Sequence, residues 1–351
     1  MRPLFQVIAD AQDITPLLQD RLLSLQVIDR VALAADSCEI KLDDRDSKIA
    51  FPRKGACLTL SLGWQGSGLT VMGHYTIDEI ELTGPPRTVT LRGTSTAMAG
   101  TAKNSRSQAW EQVTLSHIVQ AIAARQGWIA TCPIETLVTR ADQVGESDLN
   151  FLSRLARQYN ATATLKAGKL LVLPRAAGKQ ASGGELPLAS LTLHEVANFR
   201  LLFPNRTSVA KVLAKAHDSQ TGQQVTIEIP NPEAPITSAG AVHAERHTYA
   251  NASLATAAAQ AALARLNRET ASGTLELRGR GDLVAEKFIK LSGFKTEADG
   301  VYLIESVTNH FTQRSWTTSI EISAGQSGKA NLGQPSKPQP PLLIEIPEAP
   351  Q

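Results

Sequence analysis

Cysteine is scarce in this 351-residue chain: there are three, Cys38, Cys57 and Cys132, and none belongs to a CxxC pair. An odd and widely spaced set implies no disulfide framework, and synthesis in a reducing cytoplasm follows. Long hydrophobic runs are missing too. No stretch approaches the roughly 18 uninterrupted apolar residues of a membrane span. The apolar start of the chain is too short for a signal sequence and is interrupted by Asp10 and Asp13. Excess charge is also lacking: 35 Lys and Arg face 33 Asp and Glu, a net +2, which removes the electrostatic case for wrapping nucleic acid. The one asymmetry is a basic middle, Thr101–Gln180, with ten basic and five acidic residues. With 42% hydrophobic and 19% charged residues the composition is globular, and the length suits two or three domains.

Catalytic signatures are absent as well. There is no phosphate-binding loop, no GxSxG elbow and no GxGxxG after a strand. His243 and His247 stand four apart but without the HExxH order, and they read as solvated polar residues. His74, His117, His194, His217 and His310 are scattered singly. The RGD tripeptide in Gly279-Arg280-Gly281-Asp282 reads as a turn. Asp43-Asp44-Arg45-Asp46 lacks the glycine and distal glutamate of a calcium loop and reads as a charged hairpin tip. The cysteines read as small buried hydrophobes. No catalytic, cofactor-binding or metal-ligating residue is assigned, no cofactor is called for, and the chain is expected not to be an enzyme.

What is present is alternation. Ser37–Asp43 puts Cys38, Ile40 and Leu42 on one face; Ala56–Leu62 and Arg87–Arg92 do the same, the period of strands with one buried face. Between Tyr75 and Leu82 the phase slips, because Tyr75 and Ile77 are odd while Ile80 and Leu82 are even. An extra residue near Asp78-Glu79 therefore predicts a β-bulge. From Thr101 the period becomes helical: Leu115, Ile118, Val119 and Ile122 form a stripe that ends at Gly127. Ser147 is a good N-cap for a second helix burying Phe151, Leu152, Leu155, Ala156 and Tyr159, with Asn160 suited to a left-handed end. A hairpin follows, Thr162–Leu165 and Leu170–Leu173, and Gly178–Gly184 reads as a linker. Strands return at Leu191–Phe203, Ser208–Ala216, Val225–Ile229, Leu275–Arg278, Phe288–Leu291, Val301–Phe311 and Trp316–Ile322, broken by an alanine-rich helix over Ser253–Asn267.

The most informative feature is an internal repeat. Gly73-His74-Tyr75-Thr76-Ile77-Asp78-Glu79-Ile80 aligns without a gap with Gly300-Val301-Tyr302-Leu303-Ile304-Glu305-Ser306-Val307. Upstream, Gly63-Trp64 matches Gly293-Phe294 across a loop three residues shorter, and downstream each copy leads into another alternating strand. Two β-meanders converge on such a pattern, or one barrel or sandwich has been duplicated. The second reading gives a mainly β fold: two similar antiparallel β-barrels, 1–100 and 181–325, flanking a small α+β module at 101–180. Three such chains closed into a ring present six quasi-equivalent units, which matches a hexameric partner on one side and a trimeric one on the other. The last 26 residues, from Gln326, hold six of the 18 prolines and predict an extended tail, 326–351. Its Leu342-Leu343-Ile344-Glu345-Ile346 patch predicts docking onto a partner.

These residues resemble the phage late control gene D family, the tail hub proteins of contractile phages and R-type pyocins, and more distantly the hub region of type VI secretion spike proteins. The resemblance rests on Ser24–Asp29, Asp36–Asp44, Gly73–Ile80, Glu146–Ala156 and Gly300–Phe311. Ala161 stands beside Asn160 where relatives tend to have glycine. The resemblance implies a structural hub made in the bacterial cytoplasm and built into a tail baseplate as a homotrimer. It would join the hexameric tail tube protein to the trimeric central spike, with tape measure and baseplate wedge proteins as further partners. The competing class is a peptidoglycan-binding, LysM-like module, suggested by the helix-then-strand order of Ser147–Leu173.

Overall fold

The computed structural model describes residues 2–33, 36–53, 55–95, 104–166, 168–175, 186–204, 208–217, 222–234, 241–325 and 328–329. The N-terminal part contains β1 (Pro3–Ala9), β2 (Gln12–Asp13), a single-turn α1 (Thr15–Leu18), β3 (Leu22–Arg30), β4 (Ser37–Asp43), β5 (Cys57–Trp64), β6 (Gly68–Thr83) and β7 (Thr88–Ser95). Period-two patterning has the expected result. Cys38, Ile40 and Leu42 of β4 and Leu58, Leu60 and Leu62 of β5 lie in one core with Tyr75 and Ile77 of β6. The strands pair antiparallel in the order β1-β5-β6-β7-β4-β3.

The middle part contains β8 (Ser105–Thr114), α2 (Leu115–Gln126), β9 (Ile129–Thr131), β10 (Leu137–Ser147), α3 (Asp148–Gln158), β11 (Ala161–Lys166) and β12 (Lys169–Pro174). The Thr114 hydroxyl accepts from the His117 amide at the start of α2, and Gly127 ends it at φ 70°. Ser147 caps α3 through the Asn150 amide, and Asn160 turns left-handed (φ 47°). Phe151, Leu152, Leu155 and Ala156 are buried as expected; Tyr159, at the helix end, is half-buried. The β11–β12 hairpin forms, and β9 adds to it in parallel. β10 and β8 pair as a two-stranded ribbon, so the two helices are separated by strands.

The C-terminal part contains β13 (Ala189–Thr192), a 3-10 turn (Leu193–Glu195), β14 (Val196–Leu202), β15 (Lys211–His217), β16 (Gln224–Pro230), β17 (Val242–Tyr249), α4 (Ala252–Arg268), β18 (Ser272–Arg278), β19 (Phe288–Ser292), β20 (Gly300–Phe311) and β21 (Trp316–Ala324). Six of these form a second array, β13-β19-β20-β21-β18-β14, around Leu275, Ile289, Tyr302, Ile304 and Ile320. Two expectations change here. The strand read over Leu191–Phe203 is broken by the 3-10 turn, where Glu195 accepts from the Thr192 amide and hydroxyl. Ser208–Ala216 and Val225–Ile229 do not join the array: β16-β15-β17 form a separate sheet. Helix α4 covers that sheet, packing Ala255, Ala259 and Ala262 onto Val212, Ala214 and Ala216. Small alanine side chains let helix and sheet approach closely, and this insert carries its own core. The Gly178–Gly184 linker lies outside the described residues, as does the tail except for Gly328 and Lys329.

Candidate assembly interface

The strand ladders extend the repeat far beyond eight residues. Leu60 faces Gly73 and Leu58 faces Tyr75 in one copy; Leu291 faces Gly300 and Ile289 faces Tyr302 in the other. Tyr75 and Tyr302 are both buried to 1% exposure or less. The predicted bulge is present and present twice. Asp78 is the residue skipped between Ile77–Gly93 and Glu79–Arg92, and Glu305 the residue skipped between Ile304–Ile322 and Ser306–Glu321. Continuing outward, β7 matches β21 and β4 matches β18, with Cys38 at the place of Gly273 and Ile40 at that of Leu275. Strand β3 matches β14, with Leu25 at the place of Phe199, and both carry a second irregularity, at Leu23 and at Ala197. Each is preceded by a short helical turn. The β15–β17 and α4 insert thus sits where the first copy has the short β3–β4 connection. The Gly63/Gly293 match moves by one residue: Leu58 stands at the place of Ile289 and Leu60 at that of Leu291, which sets Gly293 level with Leu62.

The two arrays share one seam. The first half of β20 pairs with β19, and its second half, Ser306–Phe311, pairs antiparallel with Arg30–Leu25 of β3. Phe311 and Trp316 enter the core of the first array, and Phe311 lies 5.4 Å from Phe5. Trp64 stacks on Trp316 at 5.6 Å, donates to the Gly279 carbonyl at 2.8 Å and carries Arg278 over its face at 4.1 Å. Gly281 is required at this joint, since a Cβ there would lie 2.8 Å from the Thr70 side chain.

Equivalence defines what the seam leaves open. The second half of β20 corresponds to Glu79–Thr83 of β6, and β3 corresponds to β14. Among the described residues neither Glu79–Thr83 nor β14 has a ladder partner on its outer edge. Both edges display apolar groups: Leu82 is 52% exposed, Phe199 46% and Leu202 51%. Superimposing the register of the seam, where Asn309 faces Val27 and Thr308 faces Ile28, sets Leu82 opposite Leu201 and Glu81 opposite Leu202. Glu81 then lies diagonally from Arg200, within reach of long side chains. Leu82 enters the sequence reading only through its parity, and Arg200, Leu201 and Leu202 only as part of a strand. The available signal was β14 itself, Val-Ala-Asn-Phe-Arg-Leu-Leu, which is apolar on both faces.

The residues noted in the sequence go elsewhere. His243 and His247 sit on strand β17, not on a helix, and His243 contacts Glu245 at 3.3 Å. Arg280 and Asp282 of the RGD tripeptide pair with each other at 2.8 Å. At the Asp43–Asp46 tip, Arg21 binds Asp46 at 2.7 Å and holds its carboxyl well below the usual range. Cys38 is buried, its thiol pushed up to about 12 by desolvation. Cys132 is half-buried, and Cys57 is exposed, contrary to the reading of all three as buried. Cys57 opens β5 on the outward phase of the alternation.

A family model described as phage tail baseplate hub (GPD) matches residues 45–315. The probable baseplate hub protein of Escherichia phage 186 is 34% identical over 92% of this chain and 93% of its own length. That of Escherichia phage P2 is 31% identical over the same shares. Among solved structures, the 43 kDa tail protein of prophage MuSo2 from Shewanella oneidensis has the same fold, with a TM-score of 0.69, 15% identity and coverage of 93% of this chain and 99% of that one. A type VI secretion system component of E. coli has a TM-score of 0.56 at 14% identity, covering 88% of this chain and 75% of that one. No helix among the described residues is long and apolar enough to cross a membrane. Matched over most of its length by the family model and by both phage proteins, the chain belongs to the phage tail baseplate hub family.

Proposed function

We propose that three copies of this chain close into a ring that joins the hexameric tail tube to the trimeric central spike of a contractile phage tail or R-type pyocin, without enzymatic activity. The observation that carries the reading is the pair of open edges. One contact between the two copies of the array is made inside the chain, and the strands that would make the same contact again are left free on opposite copies. A head-to-tail contact of this kind generates a closed ring when its rotation closes. With two array copies per chain, three chains give six similar units, three seams within chains and three between them. The division at 1–100, 101–180, 181–325 and 326–351 belongs to this proposal, with the β15–β17 and α4 insert placed inside the third segment.

Energetics separate the two kinds of seam. Ladder hydrogen bonds contribute about 1 kcal/mol each, net, so backbone pairing alone gives a seam a few kcal/mol. The internal seam adds the buried Phe311; the first copy has Gly84 at that place and no such anchor. The seams between chains are therefore the weaker ones, and assembly depends on concentration.

The test is oxidation of the Leu82→Cys/Leu201→Cys chain in a Cys57→Ser background. Covalent dimers and trimers with nothing larger are expected, and native mass measurement should give three times the 37.6 kDa chain. A ladder of longer polymers would defeat threefold closure, and uncross-linked chains in a particle of native mass would defeat the register. A mass measurement with the spike protein added then reads its attachment.

A further inference from the structure

Between α3, β17 and α4 lies a cleft of about 560 Å³ lined by Arg154, Arg157, Arg175, Arg265 and Arg268, with Glu245 the one carboxylate in its lining. Helix C-termini favour cations, which accounts for Arg157 and Arg265 in the last turns of α3 and α4. It does not account for burying Arg268. That residue is 5% exposed, its described hydrogen bond is to the Asn160 side chain at 3.1 Å, and desolvation and the neighbouring Arg175 lower its pKa to about 10. Arg175 reaches Glu305 at 2.7 Å, yet its Nε is buried without a partner. Arg157 has no ion pair among the described residues. Guanidinium groups match carboxylates through paired donors. Beside them the cleft offers an apolar floor of Ala258, Ala261 and Ala262 with half-buried Tyr249.

The chain itself carries a segment of complementary chemistry that starts at this place. The Lys329 amide donates to the Thr270 hydroxyl at 2.6 Å, two residues beyond Arg268. The residues that follow have no Lys or Arg after Lys337, and they bring Glu345 and Glu348 among Leu342, Leu343, Ile344 and Ile346. The twelve residues between Lys329 and Leu342 span roughly 37 Å at about 3.1 Å per residue when proline-extended. Helix α4, with 17 residues, is about 25 Å long, so the whole cleft is within reach.

We propose that Leu342–Glu348 docks in this cleft, with its carboxylates on the arginine cluster and its apolar side chains on the alanine floor. The seat is on the same chain or on an adjacent copy, and the proposal does not rest on ring formation. A photoreactive benzophenone residue placed at Leu343 of the full chain tests it. Cross-links are expected to residues 154–160, to β17 or to α4, with the yield falling at least fivefold when Arg157→Glu and Arg265→Glu are introduced together. Both arginines lie on the surface, and thermal unfolding of the variant checks that it is folded. Mixing isotope-labelled and unlabelled chains distinguishes the chain's own cleft from a neighbour's, and either location supports the proposal. Cross-links confined to the strand edges, or appearing only on added spike protein, would overturn it, as would a yield indifferent to the charge reversal.

Discussion

Asp78 and Glu305 are the extra residues of one β-bulge built twice, and each accepts a hydroxyl from the same place on the facing strand: Thr94 at 2.9 Å and Ser323 at 2.6 Å. The copies differ in what else the acid holds. Glu305 also takes Arg175 from the end of β12 and so ties the middle module to the second array. Glu305→Gln leaves Arg175 and Arg268 with less compensation in a partly buried setting. It should cost about 1–3 kcal/mol in denaturant unfolding, while Asp78→Asn costs well under that. In a double-mutant cycle, Glu305→Gln combined with Arg175→Met should recover part of the loss. Equal costs at the two bulges would show that the Arg175 contact is idle.

The bulge was legible because a one-residue slip reverses the inside–outside phase, and Tyr75, Ile77, Ile80 and Leu82 record that slip in their parity. Helix α2 and the Ser147 cap were legible for the same reason: the period and the capping chemistry are local. The matching of β4 with β18 was not, since Cys38 corresponds to Gly273 and Glu39 to Thr274, and such pairs share a ladder position without sharing chemistry. Nor does alternation say which sheet a strand joins, which is why Lys211–His217 reads like an array strand and folds into an insert. The open edges were beyond reach from sequence. An edge is a property of what does not pair, and it appears only once the internal seam is seen.

The joint at Trp64 and Trp316 predicts a severe glycine effect. A Cβ on Gly279 would lie 2.1 Å from the Trp316 ring, with Trp64 stacked behind it. Gly279→Ala must displace the indole, at about 1–3 kcal/mol by the usual cost of overpacking. Loss of stability together with a changed tryptophan emission spectrum is the expected outcome; unchanged emission would mean that the ring is not confined.

The thiols should separate by burial. Cys57 is exposed, whereas desolvation raises the thiol pKa of Cys132 and takes that of Cys38 up to about 12. Near pH 8, a thiol reagent should label Cys57 rapidly, Cys132 slowly and Cys38 only on unfolding. Cys57→Ser should remove the fast phase alone.

Acid should weaken the turn at Arg280. The Asp282 carboxyl is held below its ordinary value, mainly by its hydrogen bonds to Arg280, with further help from Arg280 and Lys287 as charges and against the pull of desolvation. A carboxylate depressed in the folded state stabilises fully above its unfolded pKa of about 3.9, and that contribution disappears as pH falls through the folded value. This contribution to the denaturant midpoint should therefore be lost as pH falls below about 4, and Asp282→Asn should show a smaller drop over that interval.

Charge at the open edges tests the register from a different side. Arg200 has no ion pair among the described residues, whereas Glu81 already shares Arg92 with Glu39 and Glu79. Within that network three carboxylates face one guanidinium, so the β6 edge is acidic and the β14 edge basic. Arg200→Glu places like charges diagonally across each proposed seam between chains. At up to about 1 kcal/mol per contact, it should weaken association about fivefold per interface, with little change in the unfolding of the isolated chain. Adding Glu81→Lys to Arg200→Glu should restore most of the association by exchanging the two signs. Sedimentation across a concentration series reads both steps. A double variant as weak as Arg200→Glu alone would place Glu81 away from Arg200 and require a different pairing of β6 with β14.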